Sequence, residues 1–318
     1  IARLVKISDV VLDNFSPGVM TRLGLDQANL EKMKPDIISL SLTGCGESGP
    51  LKDTLVYAPQ IIALGGLESL LGYAGDKTPM NLIPGYGDTN ASIHGAFAIL
   101  AALWHREMTG EGQHISLAEA YAITSLLSEA IMDYTMNGRI SGLQGNRHPM
   151  LCPHGNYPCQ GDDKWVAIAV DTEEEWRNLC TALGAPELIT DKRFADKENR
   201  MKNREDLDNV IAGKTVKYRP YEITDILQKV NVAATPVMNC EDQINDPHFR
   251  EKKTFVEMNH PLVGKELIYG NPMRLSDMPP TIRRNAPAMG EHNDYVLREL
   301  LGYSSQEVAE LIEEQVIF

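Results

Sequence analysis

No Cys-x-x-Cys pair occurs in the 318 residues, and the cysteines number five: Cys45, Cys152, Cys159, Cys180 and Cys240. That pattern argues against a disulfide framework and against a structural zinc site, and fits small buried or half-buried thiols in a reducing compartment, with the cytoplasm as the expected location. Basic charge is equally short. Thirty Lys and Arg against 44 Asp and Glu leave a formal charge of −14, so no global field attracts nucleic acid or an anionic membrane surface. Long apolar runs are lacking too: the longest, Gly95 to Trp104, falls far below the roughly 20 residues that a spanning helix needs. The first residues, beginning at Ile1 rather than Met, show no basic segment leading into an apolar one. What is present, 43% hydrophobic and 23% charged residues, is ordinary globular composition, long enough for about two domains or one large domain with an insert.

The first third alternates two textures. Asp9 to Phe15 is a short apolar run closed by Ser16-Pro17-Gly18, and Asp36 to Leu42 is another, closed by Thr43-Gly44-Cys45-Gly46. Between them Met20, Leu23, Leu25, Leu30 and Met33 have helical spacing. Apolar runs separated by helices predict a parallel α/β sheet. The clearest helix is expected over Thr89–Thr109, from Ile93, Phe97, Leu100 and Trp104, with Asp88 as its N-cap and Gly110 as its stop. A strand over His114–Leu117 and a helix from Glu119 to Met136 should follow.

Beyond Gly138 the chain changes character. Residues 141–163, rich in Gly, Pro, His and Asn, read as a linker or site loop. Trp165–Val170 and Val232–Met238 read as strands of one small sheet, and Thr172-Glu-Glu-Glu175 as a capping box opening a helix. The charge-dense stretch Lys192–Lys217 predicts solvated helix faces, and Ser304-Ser-Gln-Glu307 a capped terminal helix. The expected division is a large domain over 1–140, a small α+β domain over 141–261, and a return to the large domain over 262–318.

Three stretches offer chemistry. In Pro84-Gly-Tyr-Gly-Asp88 the carboxylate is either a plain N-cap or a nucleophile approached over flanking glycines. Asn14-Phe15-Ser16-Pro17-Gly18 with Arg22 is either a strand-end turn or an anion site at the carboxyl end of a parallel strand. Gly145-Asn-Arg-His-Pro149 and Pro153-His-Gly-Asn-Tyr157 hold two histidines, but without carboxylate or cysteine in metal-ligand register, so no metal is expected. Glu119 and Glu68 are the next carboxylates to consider after Asp88.

Taken in order, these pieces resemble the class III CoA-transferases, the CaiB/BaiF-like group that includes formyl-CoA and carnitine CoA-transferases. The resemblance also rests on Ala101-Ala-Leu-Trp-His-Arg-Glu-Met-Thr-Gly-Glu-Gly-Gln113, Ala286-Pro-Ala-Met-Gly-Glu-His292 and Leu300-Leu-Gly-Tyr-Ser304, and runs nearly end to end. It implies a Rossmann-like large domain, an inserted smaller domain and an interlocked homodimer. It further implies Asp88 as the nucleophile, and Asn14, Phe15, Ser16, Arg22, Val56 and Tyr57 as the cradle of coenzyme A. Leu55 stands where formyl-CoA transferase has a lysine, and Pro153–Asn156 where that enzyme has its glycine-rich loop. Family members begin with a further strand–helix segment ahead of the position of Ile1. The implied partners are an acyl-CoA and a small carboxylic acid. Two other readings are a racemase of the same superfamily and a non-catalytic CoA-binding subunit. The racemase needs a histidine ahead of the aspartate, and none occurs before His94.

Overall fold

The computed structural model describes residues 1–82 and 85–317; Pro84, from the turn ahead of Asp88, lies outside the described residues. The chain divides into two units, Ile1–Gly155 and Asn156–Phe318.

In the first unit both early apolar runs are strands. β1 (Val10–Asp13) pairs in parallel with β2 (Ile38–Thr43), Val10 opposite Ile38, and β2 pairs in parallel with β3 (His114–Ala118), Ser39 opposite His114. The helices are α1 (Ala2–Ile7), α2 (Val19–Arg22), α3 (Gln27–Met33), α4 (Ala58–Leu64), α5 (Tyr86–Thr109), α6 (Glu119–Thr124) and α7 (Ser128–Asn137). The expected helix from Glu119 to Met136 is thus broken into α6 and α7, with a 3-10 turn over Ser125–Leu127 between them. The central strand explains the parallel pairing: Ile38 and Leu40 are buried on one face, and Ser39, Ser41 and Thr43 on the other. The two serine hydroxyls find partners: Ser41 Oγ donates to Asp13 Oδ2 at 2.8 Å, and Ser39 Oγ meets His114 Nδ1 at 2.7 Å.

The long helix α5 departs from the sequence expectation in two ways. It starts at Tyr86, with Gly85 in the cap position at φ 25°, so Asp88 lies in its first turn rather than at its cap. Its apolar stripe does not face the sheet. Ile93, Phe97, Leu100 and Trp104 are 68, 75, 66 and 70% exposed, whereas the buried residues are the small Gly87, Ala91, Gly95 and Ala102 together with Asn90. Close approach is the reason: a Cβ at Gly95 would stand 3.1 Å from Leu40 Cδ2, so only a smooth face lets the helix lie on the strand. At its far end Arg106 donates to Asp9 Oδ1 at 2.8 Å and to Asp36 O at 3.4 Å. The following turn runs so near residues 36–37 that a side chain at Gly112 would strike Ile37 O and come within 2.5 Å of Asp36 C.

The other elements are β4 (His154–Pro158), β5 (Trp165–Ala169), α8 (Glu173–Ala182), α9 (Lys197–Lys202), α10 (Arg204–Thr215), α11 (Pro220–Gln228) and β6 (Ala233–Val237). After them come α12 (Cys240–Asn245), α13 (Pro247–Glu251), β7 (Phe255–His260), β8 (Gly264–Tyr269) and α14 (Ser305–Glu313). One sheet has the order β4-β5-β6, and β5 and β6 are antiparallel with Trp165 opposite Val237, so the two expected strands do share a sheet. The stretch read as linker supplies β4, the third strand. Both capping boxes form: Glu175 N donates to Thr172 Oγ1 at 3.2 Å, and Glu307 N to Ser304 Oγ at 3.2 Å. The charged stretch is not wholly solvated, because Arg200 is fully buried over the Trp176 ring, 4.9 Å from its centroid. β7 and β8 form an antiparallel hairpin, Phe255 opposite Tyr269.

Candidate functional site

Three parallel strands end side by side, and the residues just past each strand make up the site. β1 ends at Asp13, whose Oδ1 accepts Phe15 N at 3.2 Å while its Oδ2 is held by Ser41. This pins the turn Asn14-Phe15-Ser16 at the sheet edge. Phe15 and Ser16 line a cavity of about 240 Å³ shared with Gln27, Ser41 and His114. Its wall also carries Asp13, Asp26 and Glu47. Three carboxylates make it a poor home for a phosphate and a better one for a neutral polar group. Asn14 and Arg22 are exposed, and Gly18 lies against Arg22, a Cβ there standing 3.7 Å from Nη1.

β2 ends at Thr43, and the next residue, Gly44, has no room for a side chain because Val56 fills the space where its Cβ would be. Val56 in turn packs on Ile61, Ile62 and Ile123. Tyr57 is 81% exposed at the start of α4, its N–H donating to Gln60 Oε1 at 3.1 Å. The start of α5 sits against that of α4: a Cβ at Gly85 would be 3.9 Å from Ala58 Cβ, and one at Gly87 3.0 Å from Ile61 Cγ2. Val56 and Tyr57 are therefore brought beside Asp88 through α4. Asn14, Phe15 and Ser16 belong instead to the turn after β1, about 10 Å across the sheet at the usual strand spacing from the end of β3, and Arg22 closes α2.

β3 ends at Ala118 and the next residue is Glu119. Its backbone is anchored where Ala120 N donates to Gly44 O at 3.0 Å. Glu119 is 8% exposed, and where α6 packs on α5 its carboxyl neighbours that of Asp88. Burial first, and then the neighbouring Asp88 carboxyl, push Glu119 up to about 7. Asp88 itself is exposed, with Ser92 Oγ donating to its backbone oxygen at 2.8 Å. The sequence offers Glu119 only as a fallback; its contact with Asp88 joins the starts of two helices and leaves no local signal. Glu68, the other fallback, accepts from Asn81 Nδ2 at 3.4 Å instead. Among the described residues, buried polar atoms without a hydrogen-bond partner include Thr43 Oγ1 at the end of β2, Asn90 Nδ2 in α5 and Glu119 Oε2.

The two histidines of this stretch, His148 ahead of β4 and His154 at its first position, are structural pins. His148 Nδ1 accepts from Met150 N at 3.1 Å and Leu151 N at 3.2 Å, and His154 Nδ1 lies 2.6 Å from Asn146 O. Among the described residues no group of three His, Cys, Asp or Glu could hold a metal ion, and no helix is long and apolar enough to cross a membrane.

Against known proteins, residues 1–293 match CoA-transferase family III. The chain is 29% identical over 317 residues to succinyl-CoA–D-citramalate CoA-transferase of Chloroflexus aurantiacus, spanning 100% of this chain and 78% of that protein. It is 32% identical over 301 residues to succinyl-CoA:mesaconate CoA-transferase of Haloarcula hispanica, spanning 93% and 74%. The crystal structure of a CaiB/BaiF family protein from Brucella suis is similar at a TM-score of 0.85 and 29% identity, over 94% of this chain and 77% of that one. A mixed α/β chain matched over nearly its whole length in this way belongs to CoA-transferase family III, and it is an enzyme of that class acting on CoA thioesters.

Proposed function

We propose that this enzyme moves CoA from an acyl-CoA to a free carboxylic acid by covalent catalysis at Asp88. One observation carries the reading: an exposed carboxylate in the first turn of α5 lies against a buried carboxyl at the end of β3. An Asp88 oxygen attacks the thioester carbonyl carbon, the C–S bond breaks, and CoA leaves as thiolate from a mixed anhydride. The thiolate then attacks the Asp88 carbonyl carbon, and the first acid departs as carboxylate, leaving an aspartyl-CoA thioester. The acceptor carboxylate attacks that thioester and expels the thiolate, which takes the new acyl group from Asp88. Charge and atoms balance without a proton, electron or metal entering. Water must be kept out, since it would hydrolyse the anhydride.

The CoA cradle in this reading is Val56 and Tyr57 beside Asp88, with Asn14, Phe15, Ser16 and Arg22 farther along the strand ends. Arg22 is the phosphate partner, because the cavity under Phe15 is walled by carboxylates. Two relatives are named for succinyl-CoA, which makes it the first donor to test. Incubation with succinyl-CoA and hydroxylamine is expected to convert Asp88 to the hydroxamate, read by peptide mass spectrometry. Continued turnover with Asp88 unlabelled would sink the mechanism. A racemase or a purely CoA-binding subunit also leaves Asp88 unlabelled, but neither moves CoA to a second acid.

The same proposal includes the Rossmann-like large domain over 1–140 with 262–318, the small domain over 141–261, a cytoplasmic setting and an interlocked homodimer. Exposed apolar side chains support the dimer: Met136 and Met150 are 73 and 63% exposed, besides the α5 stripe. Leu143 and Phe255 are half-buried by their own chain, against Gly72 and Tyr269 respectively. On dilution, light scattering should show the dimer mass persisting until the protein unfolds. A folded monomer at low concentration would contradict it.

A further inference from the structure

Glu119 is where the fold hides a carboxyl group without a cation to hold its charge. It is 8% exposed, and its Oε2 has no hydrogen-bond partner. Helix α4 offers it Ile61 and Ile62 and no charged residue; the 3-10 turn Ser125–Leu127 offers none either. β3 has only His114, at its opposite end, engaged with Ser39 and Glu47. The first turns of α5 bring Tyr86, Asp88 and His94, and His94 Nδ1 is spent on Asn90 O at 2.9 Å. Of these groups, Asp88 is the one that acts on Glu119. Two touching carboxyls do not both ionise readily, and the buried one of the pair is the poorer site for charge. The proton therefore belongs on Glu119.

We infer that Glu119 is a positioning acid for Asp88: its O–H donates to one Asp88 oxygen and leaves the other free to attack. This rests on Asp88 being the nucleophile, and it adds a role at each stage. While Asp88 is a carboxylate, the hydrogen bond fixes its rotation. When the free oxygen becomes the bridge of the anhydride, the oxygen held by Glu119 is the aspartyl carbonyl oxygen. Attack of the CoA thiolate on that carbon sends the carbonyl electron pair onto the held oxygen, and the same O–H stabilises the oxyanion. The pair returns when the anhydride C–O bond breaks. The proton never leaves Glu119, so the cycle stays balanced.

The test uses exchange of labelled succinate into succinyl-CoA, with wild type, Glu119→Gln, Glu119→Ala and Asp88→Asn. Above the Glu119 titration near 7, wild-type kcat should fall by roughly tenfold per pH unit as the donor is lost. Glu119→Gln, whose amide N–H donates at every pH, should hold its rate within about tenfold and lose that fall. Glu119→Ala should lose about 100-fold or more at neutral pH. A purely structural Glu119 would give Glu119→Gln the wild-type pH profile, and that result overturns the inference. A carbon NMR titration of glutamate labelled at its δ carbon adds a readout independent of turnover. Glu119 should titrate far above the ordinary glutamate range, and lower in Asp88→Asn. A Glu119 midpoint unmoved by Asp88→Asn overturns the contact even if the rates agree. An active Asp88→Asn protein instead overturns the nucleophile, whatever Glu119 does.

Discussion

Asp88→Asn is expected to cut CoA-transfer turnover by about three orders of magnitude or more while leaving the protein folded. The amide oxygen is too weak a nucleophile to open a thioester, and no other exposed carboxylate is placed against Glu119 at the carboxyl end of β3 among the described residues. The fold should tolerate the change, because the side chain is exposed in the first turn of α5 and Gly85 does the capping. Losing a negative charge near a helix N-terminus costs about 0.3–1 kcal/mol. The amide oxygen still accepts from Glu119. The same contact makes stability depend on pH. Glu119 titrates higher in the folded protein than in the unfolded chain, so its contribution is full below its ordinary value of 4.5 and is lost as pH rises through about 7. Urea melts of wild type should therefore weaken over that window, and those of Asp88→Asn should weaken less. Wild-type turnover in pure Asp88→Asn protein would end the assignment.

What the sequence discloses here is what short range determines. The capping boxes at Thr172 and Ser304 are contacts three residues apart, and both form. β2 is a short apolar run whose burial on both faces follows from composition, whereas β1 buries only part of its run and leaves Leu12 exposed. The helix α5 is legible as a helix but not in its orientation: the residues with the strongest periodicity point outward, and the face against β2 is made of glycine and alanine. Period alone does not say which face finds the sheet when close approach demands small residues. β4 is hidden by its composition, since His154-Gly-Asn-Tyr-Pro158 reads as loop until β5 gives it a partner. The site divides the same way. Asp88 is visible through a motif, whereas the burial of Glu119 is created by tertiary packing of α4 and α6 around the end of β3, which no window of sequence contains.

Arg200 shows the same limit in energetic terms, and it yields the largest expected effect on stability. Its guanidinium is fully buried, with Nη2 and Nη1 donating to the two Glu173 oxygens at 2.7 and 3.0 Å and Nη1 also to Phe194 O at 3.3 Å. Glu173 is the outer partner, its side chain 45% exposed in the first turn of α8. The asymmetry decides which substitution hurts more. Glu173→Ala strands a buried positive charge away from its counter-ion and is expected to cost about 3–5 kcal/mol. Arg200→Met removes the charge, fills similar volume over Trp176 and lets Glu173 turn to water, so it should cost clearly less. Adding Arg200→Met to Glu173→Ala should then recover stability, an interaction of opposite sign to two independent losses. Acid adds an independent check. The hydrogen bond from Arg200 holds Glu173 below the ordinary glutamate value of 4.5, so this stabilisation is present above that value and is lost as pH falls through the folded one. Urea midpoints of the four proteins at neutral pH decide the matter. If Glu173→Ala proves no costlier than Arg200→Met, the buried guanidinium is not the charge that needs its partner.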